Sequence, residues 1–248
     1  VVRREKGKLE RYTHIGSGNY NAASAKIYTD LGLFTANKDI NDDVQDLFNV
    51  MTGYGVVNHY RKLLVSPHTL RPGITKLIRR EIEQHKKHGN GHIIIKCNQL
   101  VDYEMVKVLY EASRAGVKIE CIVRGICSLR PGLPGVSDTI TVRSIVGRLL
   151  EHARIYYFHN NGDEEMYFGS ADLMTRNLNG RIEVLTPLLQ ENLCNNVMNQ
   201  IVIPQLKDNI HAWVMNSDGS YTKLQPKKDE TVYDSQEEIA KKLNLMKK

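Results

Sequence analysis

Two short segments far apart in the sequence repeat one pattern of small and polar residues. Residues 16–19 read Gly-Ser-Gly-Asn and residues 169–172 read Gly-Ser-Ala-Asp, so both have the form Gly-Ser-x-(Asn/Asp). His152 and Arg154 form a His-x-Arg pair that precedes the second segment by 17 residues, with a Gly-Asp turn at residues 162–163 between them. This order is typical of half of an active site that acts on phosphorus.

The residue types suit that chemistry. A histidine that emerges from a strand can attack phosphorus or deliver a proton to the leaving oxygen, and Arg154, two residues after His152, points to the same side of the strand. Backbone N–H groups of the turns, together with Ser17, Asn19 and Ser170, can hold the oxygens of a phosphate. We therefore predict His152 and Arg154 as catalytic residues, in one of two half-sites that face each other. One histidine would act as nucleophile and the other as acid/base.

The first Gly-Ser segment has no histidine pair of its own. By analogy with the second copy, a His-x-Lys should lie about 17 to 21 residues before Gly16, which falls at or before residue 1, and residues 1–16 contain none. His14 adjoins the segment at the wrong spacing, so we assign it only a role in phosphate binding. The sequence also begins at Val1 without a methionine. We expect a chain cut from a longer polypeptide, inactive by itself.

Hydrophobic periodicity predicts the elements that position these residues. Helices are expected at residues 39–51, 74–87, 102–115, 191–206 and 235–246, and strands at residues 63–67, 93–96, 118–124, 139–145, 154–158, 165–168 and 181–185. The strand-helix-strand unit at residues 93–124 implies a parallel sheet, with Asp102 and Gly116 as helix caps. Ligands collect beyond the carboxyl ends of such strands, which is where Arg124 stands. The pattern predicts an α/β fold.

Composition limits the classes of function. The net charge of +6 favours a polyanionic partner without choosing among nucleic acid, phospholipid and polyphosphate. Only 7% of residues are aromatic and no basic tract is interleaved with them, which argues against a module that stacks on single-stranded nucleic acid. Apolar runs such as residues 93–95 are far shorter than the roughly 20 residues that span a bilayer. The four cysteines form no Cys-x-x-Cys pair, so we predict reduced thiols and no metal ligands.

The sequence resembles the polyphosphate kinases over nearly its whole length. The segments that carry the match, in the family's order, are residues 14–21 (HIGSGNYN), 28–33 (YTDLGL), 123–129 (VRGICSL), 144–146 (SIV), 150–152 (LEH), 170–177 (SADLMTRN) and 181–184 (RIEV). The resemblance implies phospholipase-D-like domains, in which a mixed sheet is flanked by helices. Residues 1–62 would be the remainder of one such domain and residues 63–248 a complete second domain.

The resemblance also implies an activity: reversible transfer of the ATP γ-phosphate to inorganic polyphosphate through a phosphohistidine, with Mg²⁺. The phosphorylated histidine belongs to the upstream His-x-Lys, and the Mg²⁺ ligands are expected upstream as well. Expected partners are ATP, ADP, polyphosphate and further copies of the same chain, with no nucleic acid. The expected location is the bacterial cytoplasm, with peripheral contact to the inner membrane allowed.

Individual positions carry over from the same resemblance. Those that match substrate-contacting residues of the family are Tyr28, Arg124, His152, Arg176, Arg181 and Glu183. His152 matches the second catalytic histidine, Tyr28 and Arg124 match positions that contact ATP, and the others match the wall of the second half-site. Arg124 could neutralise phosphate charge in a loose transition state. Arg181 and Glu183 are expected on the same face of one strand, where Glu183 would orient a basic group.

Two other interpretations remain open. A phosphodiesterase of the phospholipase D superfamily, either nuclease or phospholipase, shares the half-site, although Asp172 in place of Asn and the segment at residues 124–129 have no role there. A non-catalytic module that binds polyanions is favoured by the net charge and by the basic helix face at residues 76–87.

Overall fold

The computed structural model describes residues 1–55 and 59–243 of the chain. Its strands are β1 (Val2–Glu5), β2 (Lys8–Arg11), β3 (Thr13–Gly16), β4 (Tyr28–Thr29), β5 (Gly32–Thr35), β6 (Leu64–Val65), β7 (His92–Cys97), β8 (Lys118–Val123), β9 (Ile140–Ile145), β10 (Leu150–Glu151), β11 (Arg154–Phe158), β12 (Glu165–Gly169), β13 (Val184–Pro187), β14 (Ala212–Met215) and β15 (Tyr221–Lys223). Its α-helices are α1 (Lys38–Met51), α2 (Leu70–His88), α3 (Tyr103–Arg114), α4 (Thr175–Asn179), α5 (Glu191–Val197), α6 (Ile203–Lys207) and α7 (Ser235–Lys242).

Nine strands form one mixed sheet in the order β15-β14-β9-β8-β7-β11-β12-β13-β6. The central strands β7, β8 and β9 run parallel, while β11 pairs antiparallel with β7 and continues into the antiparallel half of the sheet. The three isoleucines at residues 93–95 in β7 are at most 2% exposed, as expected of a strand covered on both faces. The predicted α/β fold, a mixed sheet flanked by helices, is confirmed.

Helix α3 makes the crossover between β7 and β8, and its ends are set locally. The Asp102 side chain accepts a hydrogen bond from the backbone N–H of Met105 at 3.1 Å. Gly116 lies just beyond the other end with φ of +96°, a conformation that costs a glycine little. Both predicted caps are confirmed, and they return the chain to the sheet as a strand parallel to β7.

Alternate residues of β7 pack into two hydrophobic clusters on opposite faces of the sheet. Ile93 and Ile95 belong to the cluster that includes Ile74 of α2 and Leu109 of α3. Ile94 points to the opposite face of the sheet, into a second cluster against which α5 packs. Helices therefore cover both faces of the sheet. None of the helices in the described residues is long and apolar enough to cross a membrane.

Part of the segment formed by residues 1–55 packs against this second core. Strands β3 and β5 form a small antiparallel sheet, and their Ile15 and Leu33 pack against the cluster around Ile94. Strand β4 pairs in parallel with β10, which places Thr29 opposite Glu151. This pairing brings the Gly-Ser loop after β3 close to the Gly-Ser loop after β12. The domain boundary at residues 62/63 stays a prediction.

The predicted strand at residues 181–185 is partly wrong, since β13 begins only at Val184. Residues 181–183 are irregular, so Arg181 and Glu183 do not alternate on one strand face. Hydrogen bonds of the Glu183 side chain, described below, hold this segment instead.

The predicted helix at residues 191–206 is interrupted. A π-helical turn at Met198–Val202 separates α5 from α6, and Pro204 is the second residue of α6. Proline has no N–H to donate to the preceding turn, which accounts for the break in the ordinary helical pattern. Strand β14 and the edge strand β15 were not predicted from the sequence. The expected helix at residues 235–246 is present as α7, and residues 244–246 lie outside the described residues.

Candidate active site

The two Gly-Ser loops meet at a polar cavity of about 270 Å³. The first loop (residues 16–19) follows β3, and the second loop (residues 169–172) follows β12. The cavity is lined almost wholly by polar and charged side chains: Ser17, Asn19, Asn98, Gln99, Arg124, His152, Arg154, Ser170, Asp172, Arg176, Asn177, Arg181 and Glu183. The structure thus gathers most of the predicted site residues in one place.

His152 is held in a fixed orientation at this cavity. Its backbone N–H donates to the carbonyl oxygen of Thr29 at 3.2 Å, which extends the pairing of β4 with β10. Its Nδ1 lies 2.9 Å from Oδ1 of Asp30, and the residue is 9% exposed. A carboxylate at Nδ1 favours the tautomer that carries a proton there and leaves the lone pair on Nε2, the nitrogen that lies beside Arg154.

Asp30 joins the histidine to the first loop. The same carboxylate oxygen accepts a hydrogen bond from Oγ of Ser17 at 2.7 Å. Burial by itself would raise the pKa of Asp30, but the hydrogen bonds from His152 and Ser17 outweigh it and lower that pKa below its ordinary value. An ionised Asp30 can therefore keep its hydrogen bond to Nδ1 and hold the His152 ring in this orientation.

Arg154 bridges the histidine and the second loop. Its Nη1 lies 3.0 Å from Nε2 of His152 and donates to the backbone carbonyl of Ser17 at 3.3 Å. Its Nη2 pairs with Oδ2 of Asp172 at 3.1 Å. Asp172 in turn accepts a hydrogen bond from the backbone N–H of Asn98 at 2.6 Å. The Asp that replaces the expected Asn of the second loop therefore anchors Arg154.

The second loop depends on a close approach of two strands. A Cβ atom on Gly169 would collide with the carbonyl oxygen of Val184 in the neighbouring strand. The hydroxyl of Ser170 donates to Glu183, and Nδ2 of Asn177 donates to the other oxygen of Glu183 at 2.6 Å. Glu183 is thus occupied in shaping the cavity wall.

Three arginines at the cavity have free hydrogen-bonding capacity. Arg124 follows the carboxyl end of β8, and its Nε donates to Oδ1 of Asn98, a neutral group, at 2.8 Å. Within the described residues, no carboxylate pairs with Arg124, Arg176 or Arg181. Guanidinium groups without a counter-ion suit phosphate oxygens, which they bind through paired N–H donors.

Neither Tyr28 nor His14 lines the polar cavity. The Tyr28 ring packs against His152 with ring centroids 4.8 Å apart, but it lines a separate, largely apolar cavity of about 280 Å³. His14 lies on β3, where its ring stacks on Phe34 at 4.3 Å and contacts the Tyr20 hydroxyl. The structure does not bring His14 to the polar cavity.

A buried ion pair lies behind His152. Lys96 and Glu151 are 2% and 4% exposed, and Nζ of Lys96 is 3.2 Å from Oε2 of Glu151. The carboxylate also accepts from Oγ1 of Thr29 at 3.0 Å and from Nε2 of Gln236 at 2.9 Å. These contacts fasten β10, which leads into His152, to β4 and α7.

Sequence reasoning did not single out Asp30, Asn98, Lys96 or Glu151. Asp30 and Glu151 lie within two residues of the predicted Tyr28 and His152, but their own hydrogen-bond partners are distant in sequence. Lys96 offered the clearest signal, because a lysine at the end of three isoleucines must find a counter-ion if the strand is buried.

Comparison with known proteins gives a consistent result. The family model described as polyphosphate kinase C-terminal domain 2 matches residues 63–236, and the one described as polyphosphate kinase C-terminal domain 1 matches residues 1–57. The polyphosphate kinase of Prosthecochloris aestuarii is 54% identical over 224 residues, which cover 90% of this chain and 31% of the relative. Polyphosphate kinase 1 of Chlorobaculum tepidum is 48% identical over 248 residues, which cover the whole of this chain and 35% of the relative.

Comparison with solved structures points to the same family. The crystal structure of polyphosphate kinase from Porphyromonas gingivalis superposes with a TM-score of 0.91 at 38% identity, over 97% of this chain and 37% of that chain. The chain spans about a third of the length of the relatives that it matches.

Proposed function

The chain belongs to the polyphosphate kinase family, and on that premise we propose that its polar cavity serves reversible transfer of the ATP γ-phosphate to inorganic polyphosphate. One observation carries the proposal: His152, held by Asp30, faces a cavity that also contains three arginines without a carboxylate partner in the described residues. Such a site offers both proton transfer and strong binding of anionic oxygens.

His152 supplies the acid/base step. With Nδ1 hydrogen-bonded to Asp30, Nε2 is the atom that delivers a proton to the oxygen leaving phosphorus and recovers it in the reverse direction. The nucleophilic role belongs, in the proposal, to the histidine of the His-x-Lys motif that resemblance to the family places upstream. That histidine would carry the phosphoryl group as a phosphohistidine.

The arginines act on charge. Phosphoryl transfer passes through a loose transition state with charge spread over the oxygens, so positioning and electrostatic stabilisation do most of the work. Arg124 approaches from the carboxyl end of β8, and Arg176 and Arg181 approach from the second loop side. Ser17 and Asn19 complete the lining from the first loop.

The cavity carboxylates do not fit a protein-held Mg²⁺. Asp172 is paired with Arg154, and Glu183 accepts from Ser170 and Asn177. No cluster of three possible ligands occurs in the part of the chain that the structure describes. We therefore propose that Mg²⁺ arrives with the nucleotide.

Anion binding by residues 1–248 is the direct test of the cavity. Tripolyphosphate titrated by calorimetry should bind, and Arg124→Ala should weaken it about tenfold, since a charge-assisted pair is worth roughly 1.5 kcal/mol. Arg114→Ala removes an exposed arginine of α3 as a matched control and should change little. Equal effects of the two substitutions would overturn the assignment of the cavity.

Catalysis is tested in a chimera. The C. tepidum enzyme matches the whole chain, so its corresponding segment can be replaced by residues 1–248. The chimera should make polyphosphate from ATP. Hydrolysis of bis-nitrophenyl phosphate without ATP turnover would instead indicate a phosphodiesterase.

Assembly and location are proposals from the family alone. We propose a homo-oligomer in the bacterial cytoplasm, with no dedicated nucleic-acid partner. Light scattering on the chimera would report its oligomeric state.

A further inference from the structure

The outer face of α2 forms a shallow basic groove of about 600 Å³. We call this surface the α2 groove, and its lining residues are Arg71, Pro72, Thr75, Lys76, Arg79, Arg80 and Glu83. Four of these seven side chains are cationic and one is acidic. No aromatic residue takes part.

Two of the four cationic side chains in the groove form no ion pair within the described residues. Arg71 forms a two-pronged pair with Asp102 at 2.6 and 2.7 Å, and Arg80 pairs with Glu165 at 2.6 Å. In residues 1–55 and 59–243, no carboxylate lies within ion-pair distance of Lys76 or Arg79, and both are exposed. The groove therefore presents two solvated cations beside two that are already fixed in place.

The fixed arginine also links the groove to the active-site cavity. Nε of Arg71 donates to Oδ1 of Asn179 at 2.9 Å. Asn179 ends α4, one helical turn after Arg176, which lines the cavity. Asp102, the partner of Arg71, accepts a further hydrogen bond from Thr175 at the start of α4 at 2.8 Å. The short helix α4 thus has the cavity on one side and the α2 groove on the other.

We propose that the α2 groove binds the distal part of a long inorganic polyphosphate chain whose end lies in the cavity. The inference rests on the proposed function. A cavity of about 270 Å³ holds only a short run of phosphates, so a long chain must continue outside it. Because the groove lacks aromatic side chains, it has no platform on which nucleic-acid bases could stack, and its charge suits a chain of bare phosphates better.

Chain length separates the groove from the cavity. The experiment compares the affinity of residues 1–248 for tripolyphosphate and for polyphosphate of about 60 phosphates, over a range of salt concentrations. The double variant Lys76→Ala/Arg79→Ala should weaken long-chain binding about fivefold and leave tripolyphosphate binding unchanged. The slope of log affinity against log salt should fall by nearly two for the long chain, one for each lost phosphate contact.

A charge-matched control is available near the C-terminus. Lys227→Ala/Lys228→Ala removes two exposed lysines outside the groove and should leave long-chain affinity close to that of the unaltered chain. An equal loss in both double variants would overturn the proposal, as would unchanged long-chain binding in Lys76→Ala/Arg79→Ala. Single-stranded DNA that bound as tightly and lost as much affinity would also overturn it.

The binding measurements distinguish an error in the assignment of the α2 groove from an error in the proposed function. If tripolyphosphate bound at Arg124 but the long chain gained nothing from Lys76 and Arg79, the groove alone would be wrong. If tripolyphosphate did not bind, the proposed function would be wrong as well.

Discussion

The buried ion pair behind His152 allows a prediction of magnitude. Glu151→Gln removes the carboxylate that lies 3.2 Å from Nζ of Lys96, and Lys96 is 2% exposed. The remaining contact of the ammonium is the carbonyl oxygen of Ala153 at 3.3 Å, which carries no full charge. Removing one partner of a buried pair typically costs about 3–5 kcal/mol, because the other charge stays uncompensated.

The amide would also disturb the hydrogen bonds around it. Glu151 accepts from Thr29 and from Nε2 of both Gln205 and Gln236, so its two oxygens face donors alone. The NH₂ group of a glutamine would face one of these donors. We expect Glu151→Gln to lower the free energy of unfolding by about 4 kcal/mol, a large part of the roughly 5–15 kcal/mol typical of a folded protein.

Urea unfolding of residues 1–248, followed by circular dichroism, measures this change. Glu237→Gln breaks an exposed ion pair with Lys241 and should cost less than about 1 kcal/mol. Adding Lys96→Met to Glu151→Gln should recover about 2 kcal/mol, because the uncompensated charge is then gone. A Glu151→Gln variant within 1 kcal/mol of the unaltered chain, or strictly additive effects in the double variant, would refute the reasoning.

Further predictions concern the loop glycine and an ion pair at the other end of the sheet. Gly169→Ala should lower the free energy of unfolding by about 3 kcal/mol, seen as a lower melting temperature, since its Cβ meets the backbone of Val184. Hydrogen bonding to His92, outweighing burial and aided by Lys118, lowers the pKa of Glu120 to about 2 from 4.5. A carboxyl group whose pKa is lower in the folded state than in the unfolded state stabilises the fold at pH values above its unfolded-state pKa. Glu120→Gln should therefore cost at most about 3 kcal/mol above pH 5, and the difference should vanish as the pH falls from 4.5 to 2.

Local signals in the sequence sufficed for the central elements. The crossover helix α3 could be placed because Asp102 and Gly116 mark its ends, and β7 because three isoleucines precede a polar turn. The cavity residues of the second loop followed from the repeated Gly-Ser pattern and from resemblance to one family. These features depend on neighbours in sequence, or on motifs that recur.

Long-range contacts could not be read in the same way. The pairing of His152 with Asp30 depends on β4 lying beside β10, and short strands of this kind leave almost no periodic signal. The alternation of Arg181 and Glu183 suggested a strand, but hydrogen bonds from Ser170 and Asn177 fix Glu183 in an irregular segment. Tertiary contacts decided both cases.

The most direct test of the central claim is the rate of ATP-dependent polyphosphate synthesis by the chimera when His152 is replaced. Acid/base catalysis by a positioned histidine contributes about 10²–10⁴-fold, so His152→Gln should slow synthesis at least a hundredfold. His159→Gln, which alters a histidine outside the cavity, should leave the rate nearly unchanged. A His152→Gln chimera that kept a rate within threefold of the unaltered chimera would contradict the account.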